Sequence, residues 1–201
     1  MQTSLPAIAK TAKRDKNRRF RGLYSMLNRV NFEVAFHALR KNAATGVDEV
    51  TWHDYAQNLS ANLLDLETRL KEKRYRAKLV KRVFIPKNNG KLRPLGIPAL
   101  EDKIVQYVVR EILQTLFEPL FRDCSYAYRP NRSAQQAALK LREGLRNQYS
   151  WVVECDITGF FDNVSHDWML KMLVRRINDK SLISLIRKWL RAGIMQPDKT
   201  V

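Results

Sequence analysis

An acidic residue near position 156 and a pair of basic residues near position 90 are the groups in this 201-residue chain best placed to do chemistry. The first lies in VVECDITGFFDNVSH, residues 152–166. The run from Trp151 to Ile157 reads as a short apolar strand that ends on Asp156. A carboxylate fixed where a buried strand emerges can hold a divalent ion. The same residue types also serve blander ends, since an Asp at a strand end caps a turn and adjacent phenylalanines fill a core. Asp162 and Asn163 suit a cap on the following helix. The second set lies in RVFIPKNNGKLRPLGIP, residues 82–98, where Asn88-Asn89-Gly90 is a turn between two extended runs. A hairpin tip bearing Lys87 and Arg93 can close over a triphosphate and pair with its oxygens. An ordinary solvated basic hairpin has the same composition, and that reading suits Lys91 best.

The elements that must carry these groups follow from periodicity. Residues 1–16 read as a weak tail with one proline. A helix is predicted from Arg18 to Arg29, with Phe20, Leu23, Tyr24 and Leu27 on one face. Another carries Phe32, Ala35, Phe36 and Leu39 and stops before Gly46. A single helix is predicted from Thr51 to Lys73, with Leu59, Leu63, Leu66 and Leu70 as its buried stripe. Strands at Val80–Ile85 and Lys91–Ile97 form the hairpin, and a helix from Leu100 to Phe117 follows Pro98. Ser133 and Gln136 fit a capping box for a helix with Ala134, Ala137, Ala138, Leu141 and Leu145 on its apolar face. Two amphipathic helices, near 166–177 and 181–191, finish the chain. Helices with a few strands and no regular βα alternation make the class α+β.

Composition narrows the partners. Hydrophobic residues are 45%, so a core can form, and the net charge of +17 calls for a polyanion, for which nucleic acid is the usual candidate. Lys10, Lys13, Arg14, Lys16, Arg18, Arg19 and Arg21 cluster as a footprint for RNA phosphates, or as a basic tail with no such role. No apolar run approaches a membrane span, so no membrane partner is expected. No secretory leader is evident, and the basic, acid-poor stretch from Lys10 to Arg29 leaves an organellar transit peptide open. Cys124 and Cys155 lack metal-ligand spacing and read as reduced thiols. His37 and His53 read as structural, and no histidine is assigned to metal.

Taken together, the motifs resemble group II intron-encoded reverse transcriptases. The block around Asp156 is similar to that family's first catalytic block. SYAYRPNRSAQ, residues 125–135, resembles the next upstream block, with Ala127-Tyr128 where Gly-Phe is usual. TGVDEVT, residues 45–51, resembles the extra N-terminal block of non-LTR-type enzymes. Residues 82–98 resemble the family's fingers hairpin, and four blocks in order are far more specific than one. The resemblance implies the fingers and the start of the palm of a right-hand polymerase. Residues 1–40 would be a basic N-terminal helical extension, 41–150 the fingers and 151–201 the start of the palm. It implies RNA-templated DNA synthesis with two Mg²⁺ ions, a DNA primer and dNTPs. Asp156 would be the first metal-binding aspartate, with the Ile157 carbonyl a further ligand. Phe161 would be the steric gate against a ribose 2′-hydroxyl, with Phe160 sharing the wall. Lys87 and Arg93 would contact the triphosphate, Arg82 would be a third contact, and Tyr128 and Arg129 would line the nucleotide or template path, with Tyr128 in the core as the alternative. His166 resembles the family's helix-start histidine. The family's Pro-Gln-Gly and aromatic-Ala-Asp-Asp blocks are not in the sequence. The expectation is thus a front portion, inactive alone, from a bacterial cytoplasm or an organelle. An RNA-gripping maturase module, and a retron, diversity-generating or CRISPR-associated relative, stand as alternatives, and a homodimer stays open.

Overall fold

The structure, a computed structural model, describes residues 4–86, 90–147, 149–198 and 200. The chain begins with α1 (Leu5–Arg14), which overturns the tail expected there. Ile8 and Ala12 lie four apart and are buried, so one narrow stripe of α1 packs while Lys10, Lys13 and Arg14 stay outside. The helix predicted over 18–29 is replaced by an extended piece and a single 3-10 turn, Leu23–Met26. Phe20 forms a parallel bridge with Ile177, and Gly22 (φ 67°) turns the chain in the left-handed region. Its long-range partner outcompetes the local helical period.

Next come α2 (Arg29–Ala38), α3 (Trp52–Gln57) and α4 (Leu59–Lys71). The predicted 51–73 helix is therefore two, broken at Asn58 (φ −126°, ψ 37°). The break lets Trp52 stack on Phe36 with ring centroids 4.5 Å apart and donate Nε1–H to the Phe36 carbonyl at 3.1 Å. Past the break Leu63, Leu66 and Leu70 are buried as the spacing predicts.

The hairpin is β1 (Val80–Pro86) and β2 (Leu92–Ile97), antiparallel. Its root continues into α5 (Leu100–Phe117), the central helix, with Ile104, Val105, Val108, Val109, Ile112 and Leu116 all buried. α1 and α2 pack on α5. Then follow α6 (Ala134–Asn147), α7 (His166–Val174), α8 (Lys180–Leu190) and β3 (Ile194–Met195). The last strand has no local sequence signal. It pairs parallel with Val80–Lys81, so the sheet order is β2-β1-β3. One apolar core draws on residues from Ile8 to Ile186, in an α+β arrangement.

Two further expectations change. The Ser133–Gln136 capping box forms, with both reciprocal bonds (2.9 and 3.2 Å), yet Leu141 and Leu145 on α6 are exposed. The strand expected at 151–157 is not formed: Trp151 and Val153 are about nine-tenths exposed. A strand exists only through a ladder partner, and no described segment pairs with this one.

Candidate nucleotide and nucleic-acid site

The hairpin stands on a braced root. Asp102, in the first turn of α5, is buried. It accepts from the Tyr75 hydroxyl and, at 3.0 Å, from the Lys78 amide. Trp189 of α8 donates to that same hydroxyl at 3.0 Å, so α5, the chain leading to β1, and α8 share one polar chain. Burial pushes the Asp102 carboxyl above its usual value, against the pull of the Tyr75 and Lys78 donors. Burial and the facing Asp102 push the Tyr75 hydroxyl up as well.

The 45–51 loop completes the brace. Asp48 pairs with Lys78 at 2.8 Å, and Lys103 donates to the Ala44 carbonyl at 2.7 Å. A Cβ on Gly46 would lie 2.5 Å from the Ala99 Cα, so this glycine is required by close approach of two backbones. At the root of the sheet, a Cβ on Gly96 would meet Val80 at 2.6 Å.

From that root the strands run outward. Their inner ends are half-buried, while Phe84, Ile85 and Leu92 near the tip are exposed. The register sets Arg93 opposite Ile85 and Arg82 opposite Gly96. Directly opposed residues share a face, and successive residues alternate, so Arg93 and Arg82 project from opposite faces of the pleat. The expected three-cation grouping is thus not assembled by the hairpin itself. Lys87 lies outside the described residues.

The 125–133 loop is stapled from within. Arg129 pairs with Glu118 at 2.8 Å and donates to the carbonyls of Arg122 (2.8 Å) and Ser125 (2.7 Å). Those bonds engage the guanidinium in holding the loop. Arg132 pairs with Asp123 at 3.1 Å and sits over the Tyr126 ring. The staples present Tyr128, which is fully exposed and left-handed (φ 57°), and its alternative place in the core is ruled out. A bulky residue held in that region is uncommon and costs about 1–3 kcal/mol.

Asp156 and Ile157 are exposed in a stretch that is neither helix nor strand. A turn follows in which Gly159 (φ 61°) lets its carbonyl accept from the Asn163 side chain at 2.9 Å. Phe160 and Phe161 meet edge to face with centroids 5.3 Å apart, and Phe161 is the more exposed. Asp162 and Asn163 do not cap α7; Ser165 does, accepting from the Trp168 amide at 3.4 Å, because it is the residue directly before the first turn. No three His, Cys, Asp or Glu residues converge as a metal-binding group among the described residues.

The cationic cluster is displayed on ordered elements. Lys10, Lys13 and Arg14 project from α1, and Lys16, Arg18, Arg19 and Arg21 are exposed beyond it. Phe20 is buried between Arg19 and Arg21, so alternation turns both arginines outward.

Residues 85–200 match the family model described as reverse transcriptase (RNA-dependent DNA polymerase). The chain belongs to the reverse transcriptase family. The chain is similar to the group II intron-encoded protein LtrA of Lactococcus lactis subsp. cremoris, 34% identical over 197 residues, 96% of this chain and 32% of that one. This reverse transcriptase chain is also 38% identical over 152 residues to protein YkfC of Escherichia coli K12, covering 74% of this chain and 40% of that one. The nuclear intron maturase 2, mitochondrial, of Arabidopsis thaliana is 32% identical over 87 residues, 43% of this chain and 12% of its own. The chain therefore spans less than half the length of these relatives. The family match takes in the hairpin tip, the stapled loop and the Asp156 segment, whereas Gly46, Tyr75 and the α1 cations lie before it. Sequence reasoning misses Tyr75 and Asp102. One signal for them exists: Asp102 shares the α5 stripe with Val105 and Val109, three and seven residues on. No helix is long and apolar enough to cross a membrane among the described residues.

Proposed function

We propose that this chain is the nucleotide-holding front of an RNA-directed DNA polymerase of the group II intron type. In this reading residues 41–150 are the fingers, 151–201 begin the palm, and 1–40 are a basic extension. The observation that carries it is the family match over residues 85–200, which takes in the hairpin tip with Arg93, then Tyr128 and Asp156, in that order. Arg93, with Lys87, would contact the triphosphate of the incoming dNTP; Arg82, on the other face, would reach backbone phosphates. Tyr128 would offer a stacking surface to a base. Phe161 would wall off a ribose 2′-hydroxyl, with Phe160 behind it. The Asp156 carboxylate and Ile157 carbonyl are hard oxygen donors of the kind Mg²⁺ takes, and that ion commonly binds through one or two carboxylates plus substrate phosphate and water. When bound it would offset charge on the transferred phosphate. RNA template, DNA primer and dNTPs are the partners this implies, in a bacterial cytoplasm or an organelle.

The test is primer extension on an RNA template. These residues alone, with one acid at the site, should not extend. Joined to the remaining polymerase segments of a full-length relative they should, and Asp156→Asn should abolish synthesis while RNA binding persists. Phe161→Val should admit ribonucleotides. Extension by Asp156→Asn at an undiminished rate would remove Asp156 from the mechanism.

A second reading has its own support. The exposed cations from Lys10 to Arg21 sit on packed backbone, as an RNA-gripping maturase surface would require. Preference for a structured intron RNA over an unrelated RNA of equal length would establish it.

A further inference from the structure

A hollow of about 280 Å³ opens beside the start of α8, lined by Tyr24, Lys73, Lys180, Ser181, Ser184 and Lys188 among others. No carboxylate lines it among the described residues. We propose that this hollow seats one phosphodiester of a nucleic-acid strand whose neighbouring phosphates run along Arg18, Arg19 and Arg21. The inference rests on the nucleic-acid reading given above and adds a site to it.

Three features build the hollow. Lys73 follows α4 in the left-handed region (φ 62°), which carries its ammonium over the Tyr24 ring at 3.5 Å. Tyr24 is itself fixed, since its hydroxyl donates to the Leu70 carbonyl at 2.9 Å. Lys188 is aimed by one bond to the Tyr75 carbonyl at 2.8 Å, which leaves two of its three donors open. Lys180 stands exposed at the first position of α8.

Asp179, the acid next to Lys180, is accounted for. Asp179 caps α8, and its carboxylate accepts from the amides of Ser181 and Leu182 (3.1 Å each) and of Tyr24 (2.9 Å). Those amides are closed to a ligand, so recognition falls to lysine ammonium groups and serine hydroxyls. Ammonium donors form charge-assisted bonds with phosphate oxygens.

Continuity points to a strand of nucleic acid. Phe20 exchanges backbone bonds with Arg176 (2.8 Å) and Asn178 (2.7 Å), and Tyr24 reaches Asp179. The extended segment carrying Arg18, Arg19 and Arg21 therefore leads along 176–179 directly into the hollow. Successive phosphates on a strand need such a row of cations; a single free anion does not.

The test titrates the whole chain against a fluorescein-labelled oligouridylate across a salt series. The pocket variant combines Lys73→Gly, which also relieves a left-handed backbone, with Lys180→Gln. A charge-matched control combines Lys140→Gln with Lys171→Gln, neither of which lines the hollow. The pocket variant should lower affinity on the order of tenfold and flatten the slope of log affinity against log salt by roughly 0.7, while the control keeps the slope. In parallel, the amide resonances of Ser181 and Ser184 should move with the oligouridylate and far less with inorganic phosphate at the same ionic strength. Equal slopes for pocket and control variants would overturn the site while the wider RNA-binding reading stands. Amide shifts with inorganic phosphate alone would also overturn it, as a free-anion hollow. Wild-type binding that ignores salt would sink both.

Discussion

Asp102 is a buried carboxyl whose partners, Tyr75 and Lys78, come from the segment leading to β1. Replacing it with Asn leaves one acceptor oxygen for two donors, the Tyr75 hydroxyl and the Lys78 amide, at a cost of about 1–3 kcal/mol. Its pH signature has a definite sign. Burial raises the folded value above that of an exposed carboxyl, so the folded chain keeps a proton that the unfolded chain has released. Asp102 therefore favours folding most at acid pH, and its contribution falls as pH climbs through the raised value. The stability margin of wild type over Asp102→Asn should shrink from mildly acid to neutral pH in denaturant titrations; a margin that widens would mean the hydrogen bonds outweigh burial. Arg176 is the other buried ion. It donates to the carbonyls of Lys16, Asp15 (3.2 Å) and Leu116 (3.4 Å), and no carboxylate is bonded to it among the described residues. Burial lowers its pKa, yet the negative ends of α1 and α5 meet it. Arg176→Met, which keeps the bulk and removes the donors, should cost about 1.5–3 kcal/mol or more by chemical denaturation.

Elements differ in how openly the sequence declares them. α5 is legible to its end residues, and the hairpin nearly so, because helical spacing, a turn triplet and flanking prolines are local signals. The Ser133 cap is legible for the same reason. The segment 151–157 misleads because its apolar run specifies a strand only when another strand lies beside it. α1 escapes notice because its stripe is only Ile8 and Ala12 among cations, and packing on α5 makes them a core face. Arg176 is invisible as a buried ion because its partners are far away in sequence, and Asp102 shows only through its place on the α5 stripe. Of the candidate site, residue types and order are legible; the opposite faces of Arg82 and Arg93 need the register. At this scale Gly46→Ala is the sharpest probe. The added methyl cannot fit against Ala99, and forced backbone shifts of this kind cost roughly 1–3 kcal/mol. Amide exchange should quicken first in β1 and β2, the elements that loop braces. Uniform protection in that variant would uncouple loop from hairpin.

For the molecule as a whole, the charge of +17 is arranged and not merely abundant. Deleting residues 1–21 would strip Ile8, Ala12 and Phe20 from the core, so charge neutralisation is the cleaner experiment. Lys10, Lys13, Arg14 and Lys16 changed to Gln should leave thermal stability near wild type. The salt slope of RNA binding should flatten by up to about 0.7 for each single-strand phosphate no longer neutralised. An unchanged slope would move the RNA surface to the hairpin and α8. The clamp on these ends also bears on how the chain is made. Arg176 lies 161 residues downstream of Asp15. At a synthesis rate of about 5–20 residues per second, roughly 8–30 s separate the two during translation. α5 emerges earlier, so on a ribosome α1 settles against it first and is latched only after α7 is made. An arrested nascent chain ending before Arg176 should leave α1 open to protease, and one extended well past it should not.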